Sequence, residues 1–516
     1  IVLNSGGAMR GLGSEPTGVS ALSKLYIDAT VPLRWGPHPP VGIPRVESAI
    51  VRQALRSIGT GRNARQVRFF MINRNGEARF LDRRELTYLG DLVEGRAAAV
   101  ESGAGESVLS RTRLVLKSIR AGAATTGKEF DRVSASYISG RNDRRGFGYQ
   151  AAKTFIRAAK LVAGRRAPVF AKPGPDPLLD ADAACFLSTA GLHALASNGR
   201  GSGIAARLAT ILHDLIPLDH PGLVDRSHAR NFEKDVAWMF RHCERIITVS
   251  AHTAETARRY AEENGVEAPP SVAVSRLGSF LKEGLRHKPL EPVAALAGRR
   301  FALYCSTIEI RKNHILLLKV WSRLIPILGE RLPKLVLCGR WGWMTDEVEA
   351  FLAEHRELAS HLVVLSDMSD AELGWLYAHA DFGLYPSRAE GWGLGAVECL
   401  DFGLPVLISE TPSLSEATQG LMPITGMDDE DGWTALVLRA VEDPRFLQEL
   451  TARIATGYLP VSETRFSSRV LSLVAGEAAD RAVLPAVPKA LLPRLTPWRP
   501  ARRTETSPGM ETLAGT

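Results

Sequence analysis

Residues Tyr385 to Phe402 read YPSRAEGWGLGAVECLDF, where glycines at 391, 393 and 395 punctuate a turn lying between two glutamates, Glu390 and Glu398, eight positions apart. The apolar run Asp381 to Tyr385 predicts a short buried strand before the turn, and Gly395 to Leu400 predicts the start of a helix after it. A strand, a glycine turn and a helix N-terminus together present free backbone N–H groups and the positive end of a dipole, which is a place that holds phosphate. The two carboxylates have different prospects. Glu390 lies on the turn and can face a reacting group, whereas Glu398 lies inside the helix and can grip the ribose hydroxyls of a bound nucleotide.

Outward from this segment, strand-like and helix-like runs alternate, which argues for parallel sheets covered on both faces. Strands are expected at Lys24 to Asp28, Val67 to Ile72, Ala184 to Ser188, Thr210 to Leu212 and Arg245 to Val249, with a glycine turn and helix over Val41 to Ile58. Ser271 to Arg300, rich in glycine and proline, reads as the region of a hinge. A second series follows: strand Phe301 to Cys305, helix Asn313 to Leu328, strand Lys334 to Cys338, helix Thr345 to Glu357, and onward to Val437. The expected division is an N-terminal segment 1–20 without structure, a domain over 21–280, a hinge at 281–300, a domain over 301–455, a returning helix within 456–480 and a Pro-rich disordered tail at 481–516.

At 516 residues the chain exceeds what one core holds, and 45% apolar content is that of a globular protein. No uninterrupted apolar stretch is long enough to span a bilayer, and the opening IVLNSGGAMRGLGS lacks the charged-then-apolar layout of a signal peptide. The five cysteines, Cys185, Cys243, Cys305, Cys338 and Cys399, are odd in number and scattered mostly through apolar runs, which predicts reduced buried thiols in a cytoplasmic protein. Net charge is +8, but Glu101 to Lys172 alone holds fifteen Lys and Arg against five Asp and Glu, so the total resolves into +10 in that insert and −2 elsewhere. RTRLVLKSIR (Arg111 to Arg120) and AAKTFIRAAKLVAGRR (Ala151 to Arg166) place cations and apolar residues at helical spacing. Two readings stand: helices lying on an anionic membrane surface, or a solvated helix pair packed beside the domain. The chain outside the insert has no basic excess, which argues against a nucleic-acid partner.

The signature around Glu390 and Glu398 resembles that of the retaining, nucleotide-sugar-dependent glycosyltransferases of family 4. YCSTIEIRKNHILLLKVW (Tyr304 to Trp321), LVLCGRWGW (Leu335 to Trp343), VVLSDMSDAELGWLYAHADFGLYPS (Val363 to Ser387) and GLPVLISE (Gly403 to Glu410) are similar to four further family segments in the same order. In the first half, YIDATVPLRWGPHPPVGIPRVESAI (Tyr26 to Ile50), ILHDLIPL (Ile211 to Leu218) and ERIITVSAHT (Glu244 to Thr253) look like three more. The resemblance covers roughly residues 24–100 and 180–475 and implies the α/β GT-B fold, two Rossmann-like domains with parallel sheets facing a central cleft. The wording TIEIRKNH with EGWGL looks most like bacterial mannosyltransferases of surface polysaccharide synthesis.

The resemblance implies a site. Glu390 and His213 would be catalytic, with Arg311, Lys312, Gly393, Leu394, Gly395, Glu398 and Gly42 binding the donor. Arg311 and Lys312, between a strand and a helix, can neutralise a departing diphosphate. His213, at a strand end, would reach the donor sugar, and without the family it reads as a histidine satisfied by a backbone carbonyl. Gly42 permits close backbone approach to phosphates or acceptor, or forms a plain turn. The turn departs from the family wording at Trp392, Gly395 and Cys399, and Thr307 stands where members often carry Arg. Glu390 would orient the donor's hydroxyls or act as a transient nucleophile, and the latter needs a second carboxyl group about 5 Å away.

No Asp-x-Asp pair stands at a strand end and no residue cluster has metal-ligand spacing, so transfer without metal or cofactor is expected. The full expectation is a retaining hexosyltransferase carrying mannose from GDP-mannose to a lipid-linked or polysaccharide acceptor, cytoplasmic or peripheral on the inner face of the plasma membrane. A non-catalytic subunit of the same fold, a nucleotide-sugar epimerase and a phosphorylase are the alternatives. The first usually lacks the glutamate or the lysine, and both are present.

Overall fold

The computed structural model describes residues 24–36, 40, 42–58, 66–96, 174–366 and 368–477. The N-terminal segment 1–20, the basic insert at 101–172 and the tail 481–516 lie outside them. The chain forms two compact units, the first ending at Glu283 and resuming at Val461, the second running from Gly284 to Pro460.

The first unit carries a seven-stranded sheet in the order β3-β2-β1-β4-β5-β6-β7. Its strands are β1 (Lys24–Asp28), β2 (Gln66–Ile72), β3 (Ala78–Phe80), β4 (Ala183–Leu187), β5 (Arg207–Leu212), β6 (Arg245–Thr248) and β7 (Ser271–Val274). Every residue of β4 is buried, as a parallel strand covered on both faces requires. Two strands differ from expectation. β3 pairs antiparallel with β2, so the sheet is not wholly parallel, and three residues carry too little periodicity to announce a strand. β7 falls inside the region read as a hinge. The free edge of β6 recruits it, Ser271 and Ser275 donating backbone bonds to Glu244 and Thr248 at 2.9 Å each.

The helix Glu463–Val474 belongs to this first unit and packs on the helix Ile43–Arg56. Arg52 pairs with Glu463, Gln53 Nε2 donates to Ser468 Oγ at 3.1 Å, and Arg469 Nε donates to the carbonyl of Val274 at 3.0 Å. Phe466, wholly buried, supplies the apolar anchor against Phe280.

The second unit has a six-stranded sheet, all parallel, in the order β10-β9-β8-β11-β12-β13. Its strands are β8 (Phe301–Cys305), β9 (Lys334–Cys338), β10 (Leu362–Leu365), β11 (Phe382–Tyr385), β12 (Val406–Ser409) and β13 (Ile424–Thr425). Residues 284–300, assigned in part to the hinge from sequence, pack on this unit: Glu291 N donates to Ala371 O at 3.3 Å. Both units are doubly wound. Chain order reverses between β1 and β4 in the first and between β8 and β11 in the second, and at such a point two loops leave the sheet in opposite directions and open a crevice at the strands' C-terminal ends.

The crevice of the first unit is closed by carboxyl groups. Asp28 ends β1 wholly buried, accepting from Thr30 N at 2.9 Å and from Ser188 Oγ at 2.6 Å. Glu47, also wholly buried, accepts from Thr189 N at 2.9 Å through Oε1, while its Oε2 has no partner among the described residues. Burial pushes the Glu47 carboxyl up to about 8, helped by the neighbouring Asp28 and opposed by Thr189, so the folded unit holds a proton there that an unfolded chain would release. A raised folded-state pKa contributes stability below the ordinary glutamate range and loses it as pH rises toward 8. The wild-type first unit should therefore lose stability between pH 5 and 8 at a slope approaching ~1.4 kcal/mol per pH unit, and Glu47→Gln should flatten that slope. Urea unfolding of both proteins across this window checks it; parallel profiles would show that Glu47 is ionised in the native state.

Candidate active site

At the switch point of the second unit the loop after β8 carries Glu309, Arg311 and Lys312, and the loop after β11 carries Ser387 and Glu390. Two tyrosines lie at or next to the ends of the paired strands and fix the start of the loops. Tyr304 Oη donates to the carbonyl of Lys312 at 2.7 Å and lies 3.2 Å from Ser387 Oγ. Tyr385 Oη donates to the carbonyl of Cys305 at 2.8 Å, and the two rings meet edge to face at 5.1 Å. Asn313, in the left-handed region at φ 56°, closes the first loop through Nδ2, which donates to Met427 O at 2.7 Å.

This framing brings Glu390 onto both cations. Lys312 Nζ lies 2.5 Å from Oε1, Arg311 Nη1 lies 3.0 Å from Oε2, and Ser387 Oγ donates to Oε1 at 2.7 Å. Ser413 Oγ donates to the Glu390 carbonyl at 2.6 Å, so the backbone is anchored as well as the side chain. Burial would raise the Glu390 carboxyl, but Lys312 and Arg311 outweigh it and hold the group down at about 2, ionised throughout the physiological range. Burial and the adjacent Arg311 lower the Lys312 ammonium, and Glu390 resists that loss. Arg311 is a clamp between two carboxylates: besides Glu390 it donates to Ala389 O at 2.9 Å and pairs with Glu309 at 2.8 Å. Glu309 itself is buried, which raises its carboxyl against the pull of Arg311 and Lys312.

Glu398 lies on the helix Leu394–Phe402 that leaves the same turn. It is buried and accepts from Tyr377 Oη at 2.7 Å. Gly393, the N-cap of this helix, has φ 100° and therefore needs glycine, and a Cβ there would stand 2.4 Å from Leu414 Cδ2. Leu394 and Gly395 open the first turn, where backbone N–H groups are unsatisfied by the helix itself. Gly395 permits the helix to lie on Tyr385, since a Cβ would fall 1.5 Å from its hydroxyl.

His213 and Gly42 belong to the first unit. His213 follows β5; its Nε2 is buried without a partner among the described residues, and burial alone pushes the ring down to about 4, so it is a neutral imidazole. No backbone carbonyl reaches that Nε2 among the described residues. Gly42, at φ 56°, is the N-cap of the helix Ile43–Arg56, the conformation a tight turn into a helix demands. Among the described residues no group of His, Cys, Asp or Glu is placed to hold a metal ion, the cysteines are free thiols, and no helix is long and apolar enough to cross a membrane.

Sequence reading missed Glu309, Ser387, Ser413 and Tyr377. Glu309 stands two positions before Arg311, and an acid beside two cations in a loop was a readable signal. Tyr377 lies on a separate helix, twenty-one positions before Glu398, and carried none.

Two doubly wound units, the second with a carboxylate–cation cluster at its switch point, define the α/β GT-B fold. Residues 291–423 match the family of glycosyl transferases group 1, so the second unit carries a group 1 glycosyltransferase domain. Among curated proteins, the O-antigen chain mannosyltransferase B of Escherichia coli is 29% identical over 253 residues, covering 48% of this chain and 64% of that protein. The serotype-specific mannosyltransferase WbdA of the same organism is 29% identical over 257 residues, 47% of this chain and 30% of that one. The chain thus spans less than two thirds of the length of either. The crystal structure of an alpha,alpha-trehalose-phosphate synthase (UDP-forming) from Burkholderia xenovorans in complex with glucose-6-phosphate superposes with a TM-score of 0.50 at 15% identity, covering 87% of this chain and 99% of that one, which is a likeness of fold.

The close approach at Gly395 gives a stability test. Gly395→Ala should cost roughly 1–3 kcal/mol by overpacking, and adding Tyr385→Phe should recover part of the loss because the clashing oxygen is removed. Strictly additive effects in a double-mutant cycle would show that helix and strand are not in the contact described.

Proposed function

We propose that the protein is a retaining glycosyltransferase that moves a hexose, mannose from GDP-mannose, to a lipid-linked or polysaccharide acceptor in bacterial cell-surface glycan synthesis. The group 1 domain and the two mannosyltransferase relatives support the class and the sugar. The observation that carries the reading is the placement of Lys312 against Glu390 where the loops after β8 and β11 meet. In this reading the ammonium and the N–H groups of Gly393, Leu394 and Gly395 receive the diphosphate, and Glu398 receives the ribose. Arg311, fixed by Glu309, holds the Glu390 loop at the right height. His213, neutral and with a free nitrogen, would meet the donor sugar.

Chemically, the bond from the anomeric carbon to the diphosphate oxygen breaks while the acceptor oxygen bonds to the same face of that carbon, and the acceptor's proton passes to the departing diphosphate. Lys312 and the helix N-terminus offset the negative charge that grows on the leaving group, the role a divalent ion fills elsewhere, so transfer is proposed to be metal-independent. Both oxygens of Glu390 are engaged by cations, which supports an orienting and electrostatic role over nucleophilic attack. At its own switch point the first unit gathers the buried carboxyl groups of Asp28 and Glu47 where the second gathers Arg311 and Lys312, so the diphosphate is assigned to the second unit. The basic insert at 101–172 is proposed to meet an anionic membrane surface, where a lipid-linked acceptor resides.

Incubation of the chain with a panel of nucleotide sugars and a lipid extract should release nucleoside diphosphate only when acceptor is present, fastest with GDP-mannose and undiminished by a chelator. Glu390→Ala should reduce release at least a hundredfold with the native circular dichroism retained, although the unfolding midpoint falls because two buried cations lose their anion, and Lys312→Ala should act similarly. Full activity in Glu390→Ala would remove that residue from the chemistry, and release without acceptor would point to hydrolysis or epimerisation. Separately, replacing Arg111, Arg113, Lys117 and Arg120 with glutamate should abolish sedimentation with anionic vesicles; unchanged sedimentation would leave the insert without a membrane role.

A further inference from the structure

Glu390 does not approach Lys312 and Arg311 as a distant neighbour. It is in direct contact with both, at 2.5 Å and 3.0 Å, its side chain 5% exposed and those of the cations 13% and 17%. With Glu309 on the far side of Arg311, the four charged groups comprise two acids and two bases, so the cluster as it stands is balanced. An arriving diphosphate brings at least two negative charges to cations that already have a fixed anion. Contacts this short, shielded from water, are charge-assisted and are strengthened by the low local dielectric. The same shielding makes repulsion between the carboxylate and a second anion costly.

We propose that Glu390 is a built-in rival anion: a nucleoside diphosphate gains Lys312 by displacing the Glu390 carboxylate from it, and that displacement frees the carboxylate to turn toward the donor's sugar. This rests on the donor-site reading given above and adds a coupling to it. Binding of the diphosphate and release of Glu390 become one event, so a ligand too weakly charged to compete leaves the carboxylate where it is. Ser387 supports the exchange. Its hydroxyl donates to the same Oε1 that Lys312 holds, and it stays beside the carboxylate when the ammonium turns away. The backbone of Glu390 is tied separately through Ser413 Oγ, so the side chain can rotate without unmaking the turn. The cost of the exchange falls on affinity for the diphosphate. That also favours product departure, because the carboxylate competes for the cation again once the sugar has left.

Calorimetric titration of the full chain with GDP, UDP and inorganic pyrophosphate, at pH 6.5 and low salt, tests this in wild type, Glu390→Gln and Glu390→Ala. Both variants should bind the preferred nucleoside diphosphate and pyrophosphate at least tenfold more tightly than wild type, although neither transfers sugar. Affinities equal to or weaker than wild type in both variants, with circular dichroism unchanged, would overturn the exchange while leaving the donor site standing. If none of the three proteins bound a nucleoside diphosphate, the donor-site reading itself would fail and the exchange with it. Ser387→Ala provides an independent arm: it loosens Glu390 without removing its charge, and should change diphosphate affinity less than threefold.

Discussion

The second unit depends on one constraint, the juxtaposition of β8 and β11 at the centre of a parallel sheet. Parallel pairing of these two strands carries their C-terminal ends to the same edge, and the loops that leave there turn in opposite directions. Tyr304, near the end of β8, holds the first loop through the Lys312 carbonyl, and Tyr385, at the end of β11, bonds across to the last carbonyl of β8. Without that lock, a buried carboxylate facing a buried ammonium would lack the fixed geometry that makes such a pair tolerable away from water. The geometry of the ion pairs is thus set by the sheet.

Electrostatically the two units are complementary in kind. At its switch point the first unit gathers buried acids, one of them raised by burial to about 8, and serine and threonine groups donate to Asp28 and to one oxygen of Glu47. The second gathers cations around an acid held down at about 2. The same doubly wound geometry therefore yields opposite local chemistry.

Much of this was legible before any coordinates. Strand runs such as β4 and β11 are continuous apolar segments, and the glycine spacing at 391, 393 and 395 announced the turn that the helix Leu394–Phe402 follows. Elements with little local signal were not legible. β3 is three residues long, and β7 opens the stretch Ser271 to Arg300, whose glycines and prolines read as a hinge, although the edge of β6 had backbone groups waiting for a partner. Periodicity reports what a segment can bury, and it is silent when a short segment is chosen by its neighbour.

By itself the sequence determined the alternation of strands and helices, the two-part organisation, and the identity of Glu390, Glu398, Arg311 and Lys312 as the residues to watch, because these follow from spacing along the chain and from residue chemistry. Only the tertiary structure decided which of them touch. Lys312 meets Glu390 across seventy-eight positions, Arg311 is divided between Glu390 and an unforeseen Glu309, and Glu398 is held by Tyr377 from another helix. Strand order brings β11 beside β8 while β9 and β10 pass to the other side. That order is settled by how helices cover both faces of the sheet, a packing choice of the whole unit that no local run of residues encodes.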